Sequence, residues 1–175
     1  MSKVIIIAEA GVNHNGDMEN AKRLIDCASK CGVDYVKFQT FKTQDIVTKA
    51  ASKARYQVKR DQGSGNSQYE MLKKLELNSG AHHELINYCK DKNVQFLSTA
   101  FDLGSLEFIY QLGIKTAKIP SGEITNYLFL KKVAELFPEV ILSTGMSNMT
   151  EIKKAVDVLF KFGLNQNSLT ILHCN

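Results

Sequence analysis

Six short apolar runs recur along this chain, each followed by polar residues and then by a stretch of helical patterning, and that alternation restricts the fold more than any other feature. The runs are Val4 to Ala8, Asp34 to Gln39, Val94 to Ser98, Thr116 to Ile119, Val140 to Ser143 and Leu169 to His173. The first is continuous and β-branched, the pattern of a strand covered on both faces. Asp17 supplies an N-cap for a helix that runs to Cys31 and stops at Gly32. Further helices are predicted over about Ser79–Lys92, Leu103–Gln111, Tyr127–Phe137 and Thr150–Phe162. Strands separated by such helices are joined by right-handed crossovers, so the sheet is parallel and the class is α/β.

Two internal echoes narrow the class. Gly32-Val33-Asp34-Tyr35-Val36-Lys37-Phe38-Gln39-Thr40 aligns with Gly113-Ile114-Lys115-Thr116-Ala117-Lys118-Ile119-Pro120-Ser121, which sets a lysine at the same register of two strands. Leu97-Ser98-Thr99-Ala100-Phe101 echoes Leu142-Ser143-Thr144-Gly145-Met146. A (β/α)8 TIM barrel gives a reason for this, because equivalent positions on its strands converge on one mouth, where active sites are built. A whole barrel takes about 250 residues. The 175 residues here therefore read as a barrel cut after about six parallel strands, with open edges that would favour aggregation or pairing with another copy.

At the carboxyl ends of these strands stand Glu9, Asn13 and His14, then Lys37, Gln39 and Thr40, then Ser98, Thr99 and Asp102. Lys118, Ser121 and Glu123 follow, then Ser143 and Thr144, then His173 and Asn175. Lysine is a compact point charge suited to phosphate or carboxylate, and it is costly to bury inside an apolar strand without a partner. Lys37 and Lys118 are thus candidate anion-binding residues, against the alternative that each pairs with a glutamate as a structural ion pair. Glu9 and Glu123 are candidate acids or bases.

The net charge of +4 lies entirely between Lys42 and Asn78, where eight basic residues meet four acidic ones, a placement that could draw in an anionic substrate. Tyr56 and Tyr69 are the aromatics of that segment and it carries no recognised motif, so no nucleic acid partner is expected. The apolar start is about a quarter of the roughly 20 residues a membrane span needs, so no membrane partner and a cytoplasmic location are expected. Cys27, Cys31, Cys89 and Cys174 form no metal-binding pair and read as core thiols. His82 and His83 fall on a helix read as a solvated surface; His14 sits in a loop, either exposed or touching ligand.

Taken in order, Ile7-Ala8-Glu9-Ala10-Gly11-Val12-Asn13-His14-Asn15-Gly16, Val36-Lys37-Phe38-Gln39-Thr40, Leu97-Ser98-Thr99-Ala100-Phe101-Asp102, Lys118-Ile119-Pro120-Ser121-Gly122-Glu123, Leu142-Ser143-Thr144-Gly145-Met146 and Leu172-His173-Cys174 resemble the N-terminal barrel of the sialic acid synthase family, which includes the N-acetylneuraminate, legionaminate and pseudaminate synthases. The resemblance spans the chain and makes residues 1–175 the N-terminal part of a synthase barrel, without the rest of the barrel or the family's C-terminal antifreeze-like domain. It implies condensation of phosphoenolpyruvate with an N-acetylmannosamine-type sugar, an N-acetylated hexosamine, to a nine-carbon 2-keto acid and phosphate. By the same resemblance Lys37, Thr99 and Ser121 hold the phosphoenolpyruvate carboxylate, Lys118 and Ser143 its phosphate, Gln39 the sugar, and Glu9 and Glu123 move protons. It further implies a Mn²⁺ or Mg²⁺ ion whose ligands lie beyond residue 175, none within this chain, and a homodimer at full length. Gln62 to Glu70 is closer to bacterial legionaminate or sialate synthases than to the animal enzymes acting on phosphorylated sugars. The alternative function is a non-catalytic phosphate-binding or assembly fragment.

Overall fold

The structure, a computed structural model, describes residues 4–53 and 67–174. Arg55, Lys59, Arg60 and most of the Gln62 to Glu70 segment lie outside the described residues. The chain forms two compact units, residues 1–96 and 97–175, with the boundary inside a strand.

The first unit begins with β1 (Ile7–Gly11), α1 (Met18–Lys30) and β2 (Tyr35–Thr40). The two strands are parallel, with Glu9 opposite Lys37, and the register slips between Glu9 and Gly11, so Ala10 is an extra residue in β1. Asp17 caps α1 as expected, accepting from the backbone N–H groups of Glu19 and Asn20 at 2.7 and 3.0 Å. Ala21, Ile25 and Ala28 form its buried stripe, and Gly32 at φ +69° ends it.

The expected first strand is displaced. Val4, Ile5 and Ile6 are 78, 61 and 52% exposed and precede β1. Ile6 is tied only at its backbone, where its N–H meets the Asp34 carboxylate at 2.9 Å and its carbonyl accepts from the N–H groups of Asp34 and Tyr35. The thiol expectation also fails for three of four residues. Cys89 is buried, which pushes its thiol up to about 12, whereas Cys27, Cys31 and Cys174 are exposed and all four are free. Cys27 lies one residue off the α1 stripe and Cys31 sits beyond its last turn.

After β2 come α2 (Thr43–Ile46), α3 (Gln68–Leu75) and α4 (Ser79–Asp91). Glu76, just past α3, gathers this region. Its carboxylate accepts from the Thr43 N–H at 3.1 Å, the Thr43 hydroxyl at 3.0 Å, Lys73 at 3.0 Å and Lys42 at 3.3 Å. Burial pushes its acidity one way, but these donors outweigh it and hold the carboxyl at about 2, below its ordinary 4.5. A carboxylate depressed on folding stabilises above its unfolded value and loses that stabilisation as pH falls toward its folded one. Glu76→Gln is therefore expected to cost about 1–3 kcal/mol at pH 7. The measurement is the urea midpoint, in which the variant and the parent should converge between pH 4.5 and 2. A constant difference across that range would refute the assignment.

The second unit takes the last residues of β3 (Gln95–Ala100), then α5 (Leu103–Gln111), β4 (Thr116–Ile119), α6 (Tyr127–Leu136), β5 (Glu139–Ser143), α7 (Met149–Lys161) and β6 (Leu169–Leu172). These bounds lie within two residues of the expected ones at each end. Here β3 pairs with β4, β4 with β5 and β5 with β6, all parallel. Asp102, Asn126 and Asn148 cap the three helices, the last in a reciprocal capping box with Glu151. Phe129, Leu130, Val133, Phe137, Leu142 and Leu159 anchor the core, each contributing about 1.5–3 kcal/mol of burial. That core fixes the strand ends on which the polar residues stand.

Candidate functional site

In the first unit the strand ends bring Glu9, Lys37 and Gln39 together. Lys37 is 8% exposed, and its ammonium meets a Glu9 carboxylate oxygen at 2.6 Å. The opposing register of the two residues on β1 and β2 makes this contact unavoidable. The glutamate side chain is 53% exposed, so the carboxylate faces outward while the lysine is embedded. Gly11 adopts φ +54°, and a Cβ there would stand 3.1 Å from a Glu9 carboxylate oxygen and 3.6 Å from the Gln39 amide nitrogen. The slip at Ala10 and the bare α-carbon of Gly11 thus let a carboxylate and an amide converge beside an ammonium.

Two of the three histidines of this unit, His14 and His82, are buried. His14 is fully buried: its Nδ1 accepts from the Gly16 N–H at 3.0 Å, so the proton sits on Nε2, which finds no hydrogen-bond partner among the described residues. Burial, then the neighbouring His82, lower its pKa. His82 is also fully buried, and its ring reaches Thr40 Oγ1 and the Asn78 carbonyl, each at 2.8 Å. The signal was present in the sequence, since His82, Leu85 and Cys89 fall on one helical stripe. His83 is exposed as expected.

The second unit holds the other candidates. Lys118, again 8% exposed, donates to Ser143 Oγ at 2.5 Å and to the Ile119 carbonyl at 2.9 Å, and it lies opposite Thr99 in the ladder. Ser121 and Glu123 share one 3-10 turn, where the Glu123 carboxylate accepts from the Asn126 amide at 2.7 Å. Asp102 is committed to its cap, accepting from the N–H and hydroxyl of Ser105 at 2.6 Å each. Thr144 donates its hydroxyl to the Leu172 carbonyl at 2.8 Å, and His173 is exposed. The turn after Ser143 passes through Met146, a non-glycine residue at φ +56° whose side chain is 99% exposed.

Cys174 reports on the electrostatics of this corner. The Thr144 backbone N–H lowers its thiol pKa against the effect of burial, with help from Ser143, the Gly145 N–H and the charge of Lys118. A cluster of two backbone donors, a hydroxyl and an ammonium stabilises negative charge whatever carries it.

The NeuB family pattern matches residues 24–175. The chain belongs to the NeuB family. It is 52% identical, over 99% of its length, to the N,N'-diacetyllegionaminic acid synthase of Campylobacter jejuni, and 46% identical over 97% of its length to the enzyme of the same name from Legionella pneumophila. It covers 52 and 48% of those proteins, so it spans about half the length of the curated relatives it matches. The crystal structure of N-acetylneuraminic acid synthetase from Leptospira borgpetersenii, in complex with citrate, superimposes with a TM-score of 0.82 at 29% identity, over 99% of this chain and 54% of that one. Within the NeuB family the fold class is α/β, with six parallel strands of a TIM-barrel arrangement.

NeuB enzymes are in general metal-dependent. Among the described residues no group of three or more His, Cys, Asp or Glu could hold an ion, and the rings of His14 and His82 are buried and engaged at Nδ1 or at both nitrogens. These residues do not fit a metal. No described helix is long and apolar enough to cross a membrane.

Proposed function

We propose that this chain is the N-terminal, phosphoenolpyruvate-binding part of a sialic or legionaminic acid synthase. The observation that carries the reading is the pair of embedded lysines, each the third residue of its strand and each against an oxygen-bearing side chain. An ammonium held in low dielectric beside rigid hydroxyls is preorganised for a small dianion or trianion. In the first unit Lys37 takes the phosphoenolpyruvate carboxylate and Gln39 the N-acetylated sugar. In the second, Thr99 and Ser121 also serve the carboxylate, and Lys118 and Ser143 take the phosphate, supported by the stabilisation of negative charge at Cys174. Citrate in the Leptospira relative is a multiply anionic carboxylate of comparable chemistry.

Glu9 and Glu123 are the proton carriers. The new carbon–carbon bond forms between the methylene of phosphoenolpyruvate and the sugar aldehyde, while water adds at the carbon that loses phosphate. One proton must leave that water and one must reach the aldehyde oxygen. Glu9 at Lys37 and Glu123 on its turn are the carboxylates available for those transfers. A divalent ion, Mn²⁺ or Mg²⁺, would polarise the aldehyde, and its ligands would come from outside residues 1–175. We also propose the cytoplasm as its location and a homodimer as the assembly of the full-length enzyme.

Phosphate release tests the reading, with phosphoenolpyruvate, Mn²⁺ and N-acetylated or N,N'-diacetylated hexosamines supplied to the chain extended to its relatives' length. Turnover with one of these sugars supports it. Saturable phosphoenolpyruvate binding without turnover on any of them would leave a non-catalytic binding fragment instead.

A further inference from the structure

We infer that His82 is a positioning residue for the first-unit site: through Thr40 it fixes the carboxyl end of β2, and with it the side chains of Lys37 and Gln39. The inference rests on the proposed reading of those two residues as ligand-binding groups.

The hydrogen bonds define the ring's state. A carbonyl oxygen only accepts, so the 2.8 Å contact with Asn78 puts the proton on His82 Nδ1. The neutral ring then offers its Nε2 lone pair to Thr40, whose hydroxyl donates across 2.8 Å. Asn78 is itself the cap of α4, accepting from the Ala81 N–H at 2.9 Å, so the ring joins the last residue of β2 to the start of that helix. Side chains alternate along a strand, which puts Phe38 and Thr40 on one face of β2 and Lys37 and Gln39 on the other. On the Phe38 face the ring is wedged, with Phe38 stacked on Phe96 at 5.5 Å and His82 edge-on to Phe96 at 6.3 Å. Three residues beyond Thr40 the chain is fastened again, at Thr43 by Glu76. Fixing Thr40 from behind therefore fixes the backbone that aims Gln39 and Lys37.

The charges around the ring set the direction of its pH response. Lys42 after β2, His83 on α4 and His14 after β1 are the titratable groups close to it, and Glu76 binds Lys42. Burial, Lys42 and His83 oppose protonation, while the Asn78 carbonyl favours it, and the ring's pKa falls below the ordinary 6.5. Protonation would reverse the Thr40 hydrogen bond, since a charged ring only donates. Added positive charge alone should strengthen anion binding. A positioning role predicts the opposite, a loss of affinity toward acid.

The test is calorimetric titration of the purified protein with phosphoenolpyruvate from pH 5 to 8, for the parent, Thr40→Val, His82→Asn and His82→Gln. Gln can place an amide oxygen where Nε2 sits and still accept from Thr40, whereas Asn reaches only as far as Nδ1. Thr40→Val and His82→Asn are expected to weaken binding about tenfold, and His82→Gln to stay within about twofold at pH 8 while keeping only the shallower acid-side decline that protonation of the ligand's phosphate causes. Equal affinities in all four proteins, or a decline toward acid as steep in His82→Gln as in the parent, would overturn the inference, since protonation of the ligand's own phosphate is common to both. Should the parent not bind phosphoenolpyruvate, the proposed function fails and amide hydrogen exchange at Gln39 and Phe41 decides this one separately. Thr40→Val and His82→Asn should then speed exchange at least fivefold over His82→Gln; equal rates would refute it.

Discussion

Replacing Lys118 with alanine is expected to weaken phosphoenolpyruvate binding on the order of 100-fold, because the proposed charge-assisted contact between this buried ammonium and the phosphate would be lost. Ser143 and the Ile119 carbonyl, which accept from it at 2.5 and 2.9 Å, carry no positive charge that could replace that ammonium. Alanine also leaves the Ser143 hydroxyl without this donor. Lys118→Met keeps most of the volume and separates the loss of charge from the loss of packing. Calorimetric affinities and thermal midpoints for both variants provide the comparison. If methionine binds like the parent, Lys118 is a packing residue and its assignment to phosphate is wrong.

Glu9→Gln should divide binding from chemistry. The carboxylate now lies 2.6 Å from Lys37 Nζ, where an incoming substrate carboxylate would have to compete with it. Removing its charge is expected to tighten phosphoenolpyruvate binding by about three- to tenfold, a modest gain because the glutamate is half exposed. Turnover in the chain extended to its relatives' length should fall by about 10²–10⁴, the usual contribution of a positioned proton carrier. Weaker binding with turnover intact would show that Glu9 is a structural counter-ion and no more. Gln39 and the bare α-carbon of Gly11 leave the substituted amide room to stay in place, so the variant is sterically mild.

Much of the fold was legible because strand and helix periods differ so strongly. Leu103–Gln111 and Thr116–Ile119 are found at the residues their patterns indicate. The departures have local causes. Val4 to Ile6 read as a buried strand because β-branched runs usually are, yet their side chains are exposed and, among the described residues, the backbone of Ile6 is what pairs with Asp34 and Tyr35. The α3 helix buries no residue fully, so no apolar stripe announces it, and α2 is a single turn. At the site, the shared register of Lys37 and Lys118 was visible as a repeat in the sequence. The contacts that define their surroundings were not. The slip at Ala10 depends on a positive φ at Gly11, and the burial of His82 depends on counting it with Leu85 and Cys89 rather than with its polar neighbours. Polar residues on a helix invite a solvent-facing reading, and only a hydrogen-bonding partner such as Thr40 makes burial affordable.

The exposed side chain of Met146 gives this corner of the molecule its own spectroscopic voice. The sequence has five methionines, so a spectrum recorded with methyl-labelled methionine contains at most five signals. A side chain that is 99% exposed rotates freely and yields a narrow line. Its backbone, by contrast, is held at φ +56° three residues after Ser143, so the methyl sits at a fixed distance in sequence from the hydroxyl bonded to Lys118. A shift of that line on adding phosphoenolpyruvate, with the methyl of Met18 at the start of α1 unmoved, would report binding in the second unit. The chain thus carries its own methionine resonance by which binding in the second unit can be followed without a coupled enzyme.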